Sequence, residues 1–425
     1  MKVLLVNVVN NMLSELAPIG LMSISSYIKE NNHDVMLCDI AAGHNFYHYL
    51  DNYKPDVVAI STMTNFAYLA YTYARVSCSK GIYTVLGGCH PSAVPEEAIQ
   101  FCDAVVIGEG EKTLLHLIES REKGIFKGES LEILGNIDYS IIDFNHYSNS
   151  RKRQHNSIWS FVAPFDNVMN SITSIGCNFL CVYCHNNFSK IKIRYRSIDN
   201  ILNELQYMKE HNINAVHFVD DNFLLDKKRT ESLCSEIEQN KLGMYYSISA
   251  RSSSITDDVL EMLRNANVLQ IAFGFESGNQ RILNVLKKGT KVEDNKRAIE
   301  LCNKHDFTIQ GSFMFGNPTE TLEEMKETEK FIKTNYMDGG LGTFLTTPYP
   351  ATELWNWAKT NNKIPDGITW DKLAFHKNNP IVLHDVPKGV FDYYFTNILS
   401  EADNIFSSRN NERMNRVNKL KEMIK

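Results

Sequence analysis

The chain has 425 residues, of which 43% are hydrophobic and 22% are charged. This composition supplies enough apolar side chains for large buried cores, and it excludes a disordered chain or a small domain held together by disulfides. The 44 lysines and arginines against 50 aspartates and glutamates give a formal net charge of −6, which does not favour a nucleic-acid-binding surface. At roughly 150 residues per domain, the length predicts two or three domains.

The sequence contains no apolar run of about 18 residues, so we expect no membrane-spanning helix. The N-terminal apolar run is soon broken by Asn10, Asn11 and Glu15, which is typical of a first β-strand rather than a signal peptide. Six of the nine cysteines are scattered along the chain, namely Cys38, Cys78, Cys89, Cys102, Cys234 and Cys302. Scattered thiols in an acidic chain of this size indicate a reducing, cytoplasmic location.

The first part of the chain alternates short, β-branched-rich apolar runs with segments of helical periodicity. The predicted strands are 3–8, 35–39, 57–61, 83–86 and 104–107, with helical patterns such as 20–29 and 66–78 between them. Apolar strands separated by helices predict a parallel sheet with right-handed crossovers. We therefore expect an α/β domain at 1–122 with a doubly wound, flavodoxin-like parallel sheet, whose ligands bind at the carboxyl ends of the strands.

Small and turn-forming residues follow three of these strands. The sequence Ser-Thr-Met-Thr-Asn at 61–65 follows the third strand, Gly87 and Gly88 follow the fourth, and Gly108 and Glu109 follow the fifth. Glycine lets a ligand approach the backbone closely because no Cβ intervenes. Simple tight turns between strand and helix also explain these residues.

The whole segment resembles the cobalamin-binding domain that precedes many radical S-adenosylmethionine (SAM) enzymes. The matching motifs are Pro-Ile-Gly-Leu at 18–21, Gly-Gly-Cys-His-Pro-Ser-Ala-Val-Pro-Glu-Glu at 87–97 and Gly-Glu-Gly-Glu at 108–111. The resemblance implies cobalamin contacts at Thr62, Asn65, Gly87, Gly88, Gly108 and Glu109. It places residues 62–65 under the corrin ring and the glycine pair at 87–88 against the nucleotide tail. The Asp-x-His-x-x-Gly motif of mutase-type domains is absent, so we assign no side chain to cobalt.

Residues 123–165 lack sustained periodicity, which predicts an interdomain linker. This segment contains a basic cluster, Arg151, Lys152 and Arg153. A solvated surface patch and a contact with a phosphate-bearing ligand both fit that cluster.

The strongest signal in the sequence is a group of three cysteines, Cys177, Cys181 and Cys184, spaced Cys-x3-Cys-x2-Cys. A short loop of this kind can wrap three thiolates around a metal cluster, and thiolates select iron–sulfur clusters or zinc. Three ligands leave one iron of a four-iron cubane open for chemistry. A zinc site that adds His185 is the alternative, although adjacent Cys184 and His185 are poorly placed to hold one ion together.

This motif resembles the signature of the radical SAM superfamily, Cys-x3-Cys-x-aromatic-Cys, in which Tyr183 fills the aromatic position. The resemblance implies that the cysteines hold a [4Fe–4S] cluster whose open iron chelates the amino and carboxylate groups of SAM. Reductive cleavage of SAM would then release a 5′-deoxyadenosyl radical.

A second series of strand and helix patterns surrounds and follows the cysteines. The predicted strands are 171–175, 215–219, 245–250, 269–275, 308–315 and 342–346. Apolar spacing indicates a helix at 198–208, and Thr256 is the predicted N-cap of another. These patterns predict a partial (β/α)6 TIM-like barrel at 166–346, with its active site at the carboxyl ends of the strands.

Polar side chains stand at the ends of these predicted strands. SAM needs a cation for its carboxylate and an acceptor for its ribose hydroxyls, and Arg251 and Glu276 suit these needs. An interior salt bridge also fits each of these two residues. The complete predicted SAM site is Tyr183, Asp220, Arg251, Glu276, Ser277 and Gly311. The family resemblance continues to about residue 350 through motifs at 194–197, 220–223, 275–278, 287–289 and 311–320.

Residues 347–425 form a small, mainly helical C-terminal region that contains Trp355, Trp357 and Trp370. The resemblance implies that this region closes the barrel mouth and shapes the substrate pocket. A helical cap on the opposite end of the barrel fits the sequence equally well.

Together these features predict a radical SAM enzyme that acts on a small molecule, with no nucleic-acid or membrane partner. Our first hypothesis is a cobalamin-dependent methyltransferase that acts on an unactivated carbon of a natural-product precursor, with an external electron donor such as flavodoxin or ferredoxin. The alternative is a radical SAM cyclase, oxidoreductase or dehydratase with a vestigial or structural cobalamin-type domain. A cobalamin or redox sensor is disfavoured because a sensor needs no SAM-binding strand ends.

Overall fold

A computed structural model describes residues 1–9, 16–149, 167–186, 192–373 and 380–423. Its N-terminal sheet has six parallel strands in the order β2-β1-β3-β4-β5-β6. The strands are β1 (Lys2–Val8), β2 (Asp34–Asp39), β3 (Val57–Thr62), β4 (Tyr83–Gly87), β5 (Ala104–Ile107) and β6 (Gly124–Lys127). This arrangement confirms the predicted doubly wound, parallel-sheet fold.

The first strand shows why this sheet is buried on both faces. Leu4, Val6 and Val8 pack into one apolar core, whereas Val3 and Leu5 pack into a second core. Consecutive side chains of a strand point to opposite faces, so a run that is apolar throughout needs helices on both sides. The helices are α1 (Ile19–Glu30), α2 (Phe46–Tyr53), α3 (Ala67–Ser79), α4 (Cys89–Ala93), α5 (Pro95–Ala98) and α6 (Glu111–Ser120), followed by α7 (Phe144–Asn149).

The sixth strand of this sheet corrects part of the linker prediction. β6 pairs in parallel with β5, from Ala104 with Gly124 to Ile107 with Lys127. Its residues are half-buried or exposed, so they lack the continuous apolar run that marks the central strands. The basic cluster at 151–153 lies outside the described residues.

The second half of the chain begins with β7 (Val168–Ser171) and an antiparallel ribbon of β8 (Ser174–Ile175) and β9 (Arg194–Tyr195). The predicted strand at 171–175 is therefore wrong in its bounds. The chain leaves the sheet after Ser171 because Thr173 and Ser174 donate hydrogen bonds to the buried carboxylate of Asp220 (2.7 and 2.5 Å).

The strand β7 is one edge of a curled half-barrel sheet, which confirms the predicted partial barrel. The other strands are β10 (Ala215–Phe218), β11 (Tyr245–Ala250), β12 (Val268–Glu276), β13 (Thr308–Phe315) and β14 (Gly340–Leu345). All neighbouring strands are parallel, in the order β14-β13-β12-β11-β10-β7. The polar ends of the predicted strands are thus brought to one edge of the sheet.

Helices cover the outer face of the half-barrel. They are α8 (Ile198–Glu210), α9 (Lys227–Asn240), α10 (Asp257–Asn265), α11 (Gln280–Val285), α12 (Val292–Lys304) and α13 (Leu322–Thr334). On β13, Phe313 and Phe315 pack into the core beneath these helices, while Ser312 and Met314 face the interior. Thr256 precedes α10 as predicted, but its hydroxyl bonds to Asp258 rather than to a helix amide.

The C-terminal region contributes α14 (Glu353–Thr360), α15 (Lys388–Ser408) and α16 (Asn410–Met423). Arg416 of α16 donates to the carbonyl of Phe307 (2.7 Å), just before β13 begins. The last helix therefore lies at the amino end of β13, which is the end opposite the predicted active site. Among the helices in the described ranges, none has both the length and the apolar character that crossing a bilayer requires.

Asn170 of β7 joins the two halves of the chain. Its side-chain oxygen accepts from the backbone amide of Ala17 (2.8 Å), and its side-chain nitrogen donates to the Ala17 carbonyl (3.0 Å). All four groups are buried. Buried backbone groups need such partners because water cannot reach them.

We predict that Asn170→Ala lowers the free energy of unfolding by about 2 kcal/mol, because it leaves the amide of Ala17 buried without a partner and removes one of the two donors to its carbonyl. Urea denaturation of the cofactor-free protein measures this loss. Asn203→Ala, at an exposed position of α8, is the matched control and should change stability by less than about 0.5 kcal/mol. Equal stabilities for the two variants would contradict the assignment.

Candidate active site

The three predicted cluster ligands lie in one loop, residues 176–184, here called the cysteine loop. Cys181 is buried, and Cys177 and Cys184 are half-buried. Asp221, shortly after β10, accepts a hydrogen bond from the backbone amide of Gly176 (2.9 Å) and so anchors the start of the loop. Burial raises the pKa of the Cys177 thiol above its ordinary value, so binding of a metal has to displace its proton.

Arg251 lies against the middle of the cysteine loop. Its Nη1 donates to Sγ of Cys181 (3.8 Å), and its guanidinium carbon lies 3.6 Å from the ring centroid of Phe179. The residue is 7% exposed, and its Nε and Nη2 find no hydrogen-bond partner in the described parts of the chain. A buried guanidinium with open donors is costly unless an anion satisfies them. This position therefore fits the carboxylate of a bound ligand.

The cysteine loop bears on the choice between a zinc site and an iron–sulfur cluster. Within the described ranges, no group of three or more His, Cys, Asp or Glu side chains could hold a single metal ion. A zinc ion needs all its ligands on one atom, so the zinc alternative gains no support. In a cubane each cysteine binds a different iron, so a cluster does not need three thiols around a single atom.

A buried ion pair stands beside the cysteine loop, at the end of β12. Nζ of Lys288 lies 2.8 Å from Oε1 of Glu276, and the Tyr183 hydroxyl donates to the same oxygen (2.8 Å). The lysine and glutamate side chains are 10% and 9% exposed. Burial, and then the Glu276 carboxylate, hold the pKa of Tyr183 well above its ordinary value. The aromatic residue of the cysteine motif is thus tied to the barrel through a carboxylate that Lys288 neutralises.

The backbone of Glu276 adopts a left-handed conformation, with φ of 62°. The residue lies at an irregularity in the pairing of β12 with β13. Such a conformation is unfavourable for a residue with a side chain and persists only where the surroundings fix it. Here the irregular pairing accompanies the turn that brings the carboxylate to Tyr183 and Lys288.

The interior of the half-barrel holds a cavity of about 420 Å³, here called the barrel cavity. Three of the predicted SAM-binding residues line it, namely Tyr183, Arg251 and Glu276. Cys177 lines it as well, so the cavity reaches the cysteine loop. Its other walls include Lys288, His217, Ser249, Gln310, Ser312, Met314, Phe344, Leu345, Thr347 and Tyr349.

The other three predicted SAM-binding residues lie outside the barrel cavity. Asp220 is fully buried, where burial raises its pKa and hydrogen bonds from the β7–β8 connection oppose that rise. Ser277 shares a hydrogen bond with Thr328 of α13 (2.9 Å). Gly311 faces away from the barrel cavity, since a Cβ there would lie 2.7 Å from Sδ of Met337, in the connection between α13 and β14. These three residues pack behind the wall of the cavity. Strand alternation accounts for this at Gly311, because its neighbours Gln310 and Ser312 line the cavity.

A second cavity, of about 480 Å³, lies at the carboxyl ends of the N-terminal sheet and is here called the N-terminal cavity. Five of the predicted cobalamin contacts line it, namely Thr62, Gly87, Gly88, Gly108 and Glu109. Gly88 has φ of 89°, and a Cβ there would lie 2.7 Å from Oγ of Ser61. Glycine is therefore required at this turn, which packs closely against the end of β3.

Two details of this cavity differ from the sequence prediction. Asn65 is not among its lining residues and lies instead in the 3-10 turn Thr64–Phe66, whereas Met63 lines the cavity with 38% of its surface exposed. The carboxylate of Glu109 forms an ion pair with Arg194 of β9. Glu109 therefore joins the N-terminal sheet to the ribbon as well as bordering the cavity.

Lys288 is the functional residue that sequence reasoning missed most clearly. It belongs to a Lys-Lys-Gly motif at 287–289, but the motif does not reveal which lysine points inward. Lys287 is 53% exposed and pairs with Glu353 on the surface (2.5 Å), whereas Lys288 enters the barrel cavity. The sequence allows the proposal that a lysine is buried beside the glutamate at the end of β12. It does not show which of the two adjacent lysines points inward.

One short segment borders both cavities. Ile172 and Ile175 line the N-terminal cavity, and Cys177 lines the barrel cavity. The segment 172–177 thus forms part of the wall of each. A group held at the end of one sheet would lie close to a group held at the end of the other.

Comparison with known protein families matches both halves of the chain. A model described as the B12 binding domain matches residues 6–118, and one described as the Radical SAM superfamily matches residues 171–332. The chain is a radical SAM enzyme with an N-terminal B12-binding domain. The family resemblance predicted from the sequence is confirmed. A radical SAM domain implies SAM and a [4Fe–4S] cluster, and a B12-binding domain implies cobalamin.

Curated relatives of this radical SAM enzyme cover most of its length. An uncharacterized methyltransferase of Pyrococcus horikoshii is 29% identical, over 84% of this chain and 81% of the relative. An anaerobic magnesium-protoporphyrin IX monomethyl ester cyclase of Rubrivivax gelatinosus is 24% identical, over 71% of this chain and 58% of the relative. A bacteriochlorophyllide d C-12(1)-methyltransferase of Chlorobaculum tepidum is 26% identical, over 84% of this chain and 76% of the relative.

A solved structure shows the same fold. The radical SAM methyltransferase TsrM of Kitasatospora setae superposes with a TM-score of 0.65 at 17% identity, covering 85% of this chain and 77% of TsrM. The order of the two domains and the curled sheet are therefore shared with a protein of known structure.

We predict that Lys288→Met destabilises this radical SAM enzyme by about 3 kcal/mol, because it leaves the Glu276 carboxylate buried without its cation. The neighbouring variant Lys287→Met removes an exposed ion pair and should cost less than about 1 kcal/mol. Chemical denaturation of the cofactor-free protein compares the two.

The double variant Lys288→Met, Glu276→Gln tests the reason for this effect. Removal of the charge should restore part of the stability lost in Lys288→Met. Similar losses for the two single lysine variants, or no recovery in the double variant, would show that the buried pair does not act as described.

Proposed function

We propose that this enzyme is a cobalamin-dependent radical SAM methyltransferase that methylates an unactivated carbon of a small molecule, such as a natural-product precursor. The two domains support the use of both cofactors. Two of the three relatives reported above are named methyltransferases. The cyclase relative keeps the alternative of radical chemistry without methyl transfer open to test.

The observation that carries the proposal is the shared wall at 172–177. A methyl transfer that uses both cofactors requires that they face a common substrate, because reacting groups must approach closely and in the correct orientation. Two cavities at the strand ends of two sheets, bordered by one short segment, support such an arrangement. A vestigial cobalamin-type domain would have no reason to keep its cavity open at this position.

The side chains of the barrel cavity have distinct proposed roles. Cys177, Cys181 and Cys184 would hold the [4Fe–4S] cluster, while Arg251 would bind the SAM carboxylate and Glu276 its ribose hydroxyls. When bound, the cluster and SAM supply a radical that removes hydrogen from carbon, and cobalamin supplies the methyl group. The protein itself positions these groups and keeps water from them.

The wall formed by β13, β14 and the residues after them indicates what kind of substrate fits. Met314, Phe344, Leu345 and Tyr349 present apolar and aromatic surface, and Gln310 with Ser312 adds neutral hydrogen-bonding groups. Pockets of this composition bind small organic molecules through an apolar body and a few polar contacts. We therefore propose a neutral or weakly polar small molecule rather than a phosphorylated one.

Reduction of the cluster requires an electron donor. The six cysteines outside the cysteine loop are scattered along the sequence, so the chain offers no second cysteine motif for a relay cluster. We propose an external one-electron donor such as flavodoxin or ferredoxin.

The direct test is anaerobic reconstitution with iron, sulfide and cobalamin, followed by incubation with SAM and a chemical reductant. The wild-type enzyme should retain corrin and form both 5′-deoxyadenosine and S-adenosylhomocysteine. Formation of 5′-deoxyadenosine without S-adenosylhomocysteine would overturn methyl transfer in favour of another radical reaction. Chromatography of the two nucleosides distinguishes these outcomes.

In the same assay, Cys181→Ala should lose cluster iron and reduce 5′-deoxyadenosine formation at least 100-fold, because a cubane held by two thiolates is not retained. Cys78→Ala, which removes a half-buried thiol of α3, is the matched control and should behave as wild type. Iron and sulfide analysis of both variants accompanies the assay. Wild-type activity in Cys181→Ala would contradict the cluster assignment.

A further inference from the structure

The C-terminal region connects the loops of the two cavities through a continuous series of contacts. The part concerned, residues 353–373, is here called the bridging segment. It contains α14 and a 3-10 turn, Trp370–Lys372. The two family models match the chain only as far as residue 332. They therefore assign no role to this segment.

One end of the bridging segment is hydrogen-bonded to the cysteine loop. The backbone amide of Leu354 donates to the carbonyl of Val182 (2.9 Å), the residue between Cys181 and Tyr183. The amide of Val182 in turn donates to the carbonyl of Leu286 (3.1 Å). Val182, Leu286 and Trp355 are buried together in one small apolar core. The backbone of the cysteine loop is thus fixed to α14 at a position between two cluster ligands.

The other end of the bridging segment packs on the B12-binding domain. Trp370 lies against the small core of α14 and also against the core of the N-terminal sheet. Its ring centroid lies 5.9 Å from that of Trp355 and 5.2 Å from that of His90. Its indole Nε1 donates to Oε1 of Glu97 (2.7 Å). Both His90 and Glu97 belong to the motif at 87–97 whose glycines line the N-terminal cavity.

The turn that contains Trp370 also contacts the loop on the other side of that cavity. The turn Trp370–Lys372 contacts the turn Thr64–Phe66, which directly follows Met63. The 3-10 turn that carries Trp370 therefore contacts the loop after β3, while Trp370 itself contacts the segment after β4, and both loops border the N-terminal cavity. His90 itself is fixed from behind by the Tyr71 hydroxyl, 2.9 Å from its Nε2.

We infer that the bridging segment clamps the loops of the N-terminal cavity to the cysteine loop, with Trp370 as the positioning residue that holds the two cavities in register. This inference rests on the proposed function, since a methyl group must pass between groups held in the two cavities. Trp370 lines neither cavity among the residues described, so it acts through the loops and not on the reacting atoms.

The physical reason is that transfer between two sites depends steeply on their separation and alignment. Cleavage of SAM at the cluster needs only the barrel cavity. Methyl donation from SAM needs the barrel cavity and the N-terminal cavity together. Loosening Trp370 should therefore impair methyl donation while it spares SAM cleavage.

The first test uses the cofactor-free protein and hydrogen–deuterium exchange measured by mass spectrometry. Trp370→Leu should speed amide exchange at 64–71 and 89–98 at least tenfold. Trp357→Leu, a half-buried tryptophan of the same segment that packs at the edge of the α14 core, should change exchange there less than twofold. Unchanged exchange in Trp370→Leu would overturn the clamp without reference to any cofactor.

The second test uses the reconstituted enzyme. Trp370→Leu should lower S-adenosylhomocysteine formation at least tenfold and leave 5′-deoxyadenosine formation within twofold of wild type. A parallel loss of both products, or of neither, would overturn the inference. If wild-type enzyme forms no S-adenosylhomocysteine, the proposed function fails, and the exchange experiment still decides whether the clamp exists.

Trp370→Phe covers the case in which Trp370→Leu does not fold. It keeps an aromatic ring and removes the hydrogen bond to Glu97. Exchange at 89–98 should rise about threefold, by loss of one hydrogen bond of roughly 0.7 kcal/mol. Exchange equal to wild type in this variant would also overturn the inference.

Discussion

The structure depends on one constraint, that the carboxyl ends of parallel strands lie at the same edge of their sheet. Both sheets of this chain obey it, and the segment 172–177 lies where the two edges meet. Asn170 fixes β7 to the N-terminal domain on one side of that segment, and Asp221 fixes the cysteine loop on the other. The cavities at the two sheet edges thereby share one short segment of wall.

The charges at this site are arranged so that some are satisfied within the protein and others await a ligand. The Glu276 carboxylate already has Lys288 and Tyr183. The guanidinium of Arg251, in contrast, is buried against Phe179 with two nitrogen donors unsatisfied in the described chain. Preorganised polar groups of this kind stabilise a charged ligand without reorganisation when it binds. The half-barrel is thus prepared for an anion next to the cysteine loop.

Much of this could be predicted from the sequence, because strand alternation, glycine turns and cysteine spacing are local signals. The strands with continuous apolar runs were identified, and so was the cysteine loop. The edge strand β6 was missed because its four residues are only partly buried. Gly311 and Ser277 remain predicted SAM contacts that do not line the barrel cavity, because motif position does not show which way a side chain points. Lys288 and Trp370 depend on contacts between distant segments, which no local pattern contains.

The most direct measurement of the central claim is electron paramagnetic resonance of the anaerobically reconstituted, reduced protein with and without SAM. The account predicts the signal of a reduced [4Fe–4S] cluster whose g values shift when SAM is added. It also predicts coupling to a ¹⁷O label in the SAM carboxylate, because the iron without a cysteine ligand binds SAM directly. A reduced cluster whose spectrum is indifferent to SAM, or the absence of a cluster signal after reconstitution, would contradict the account.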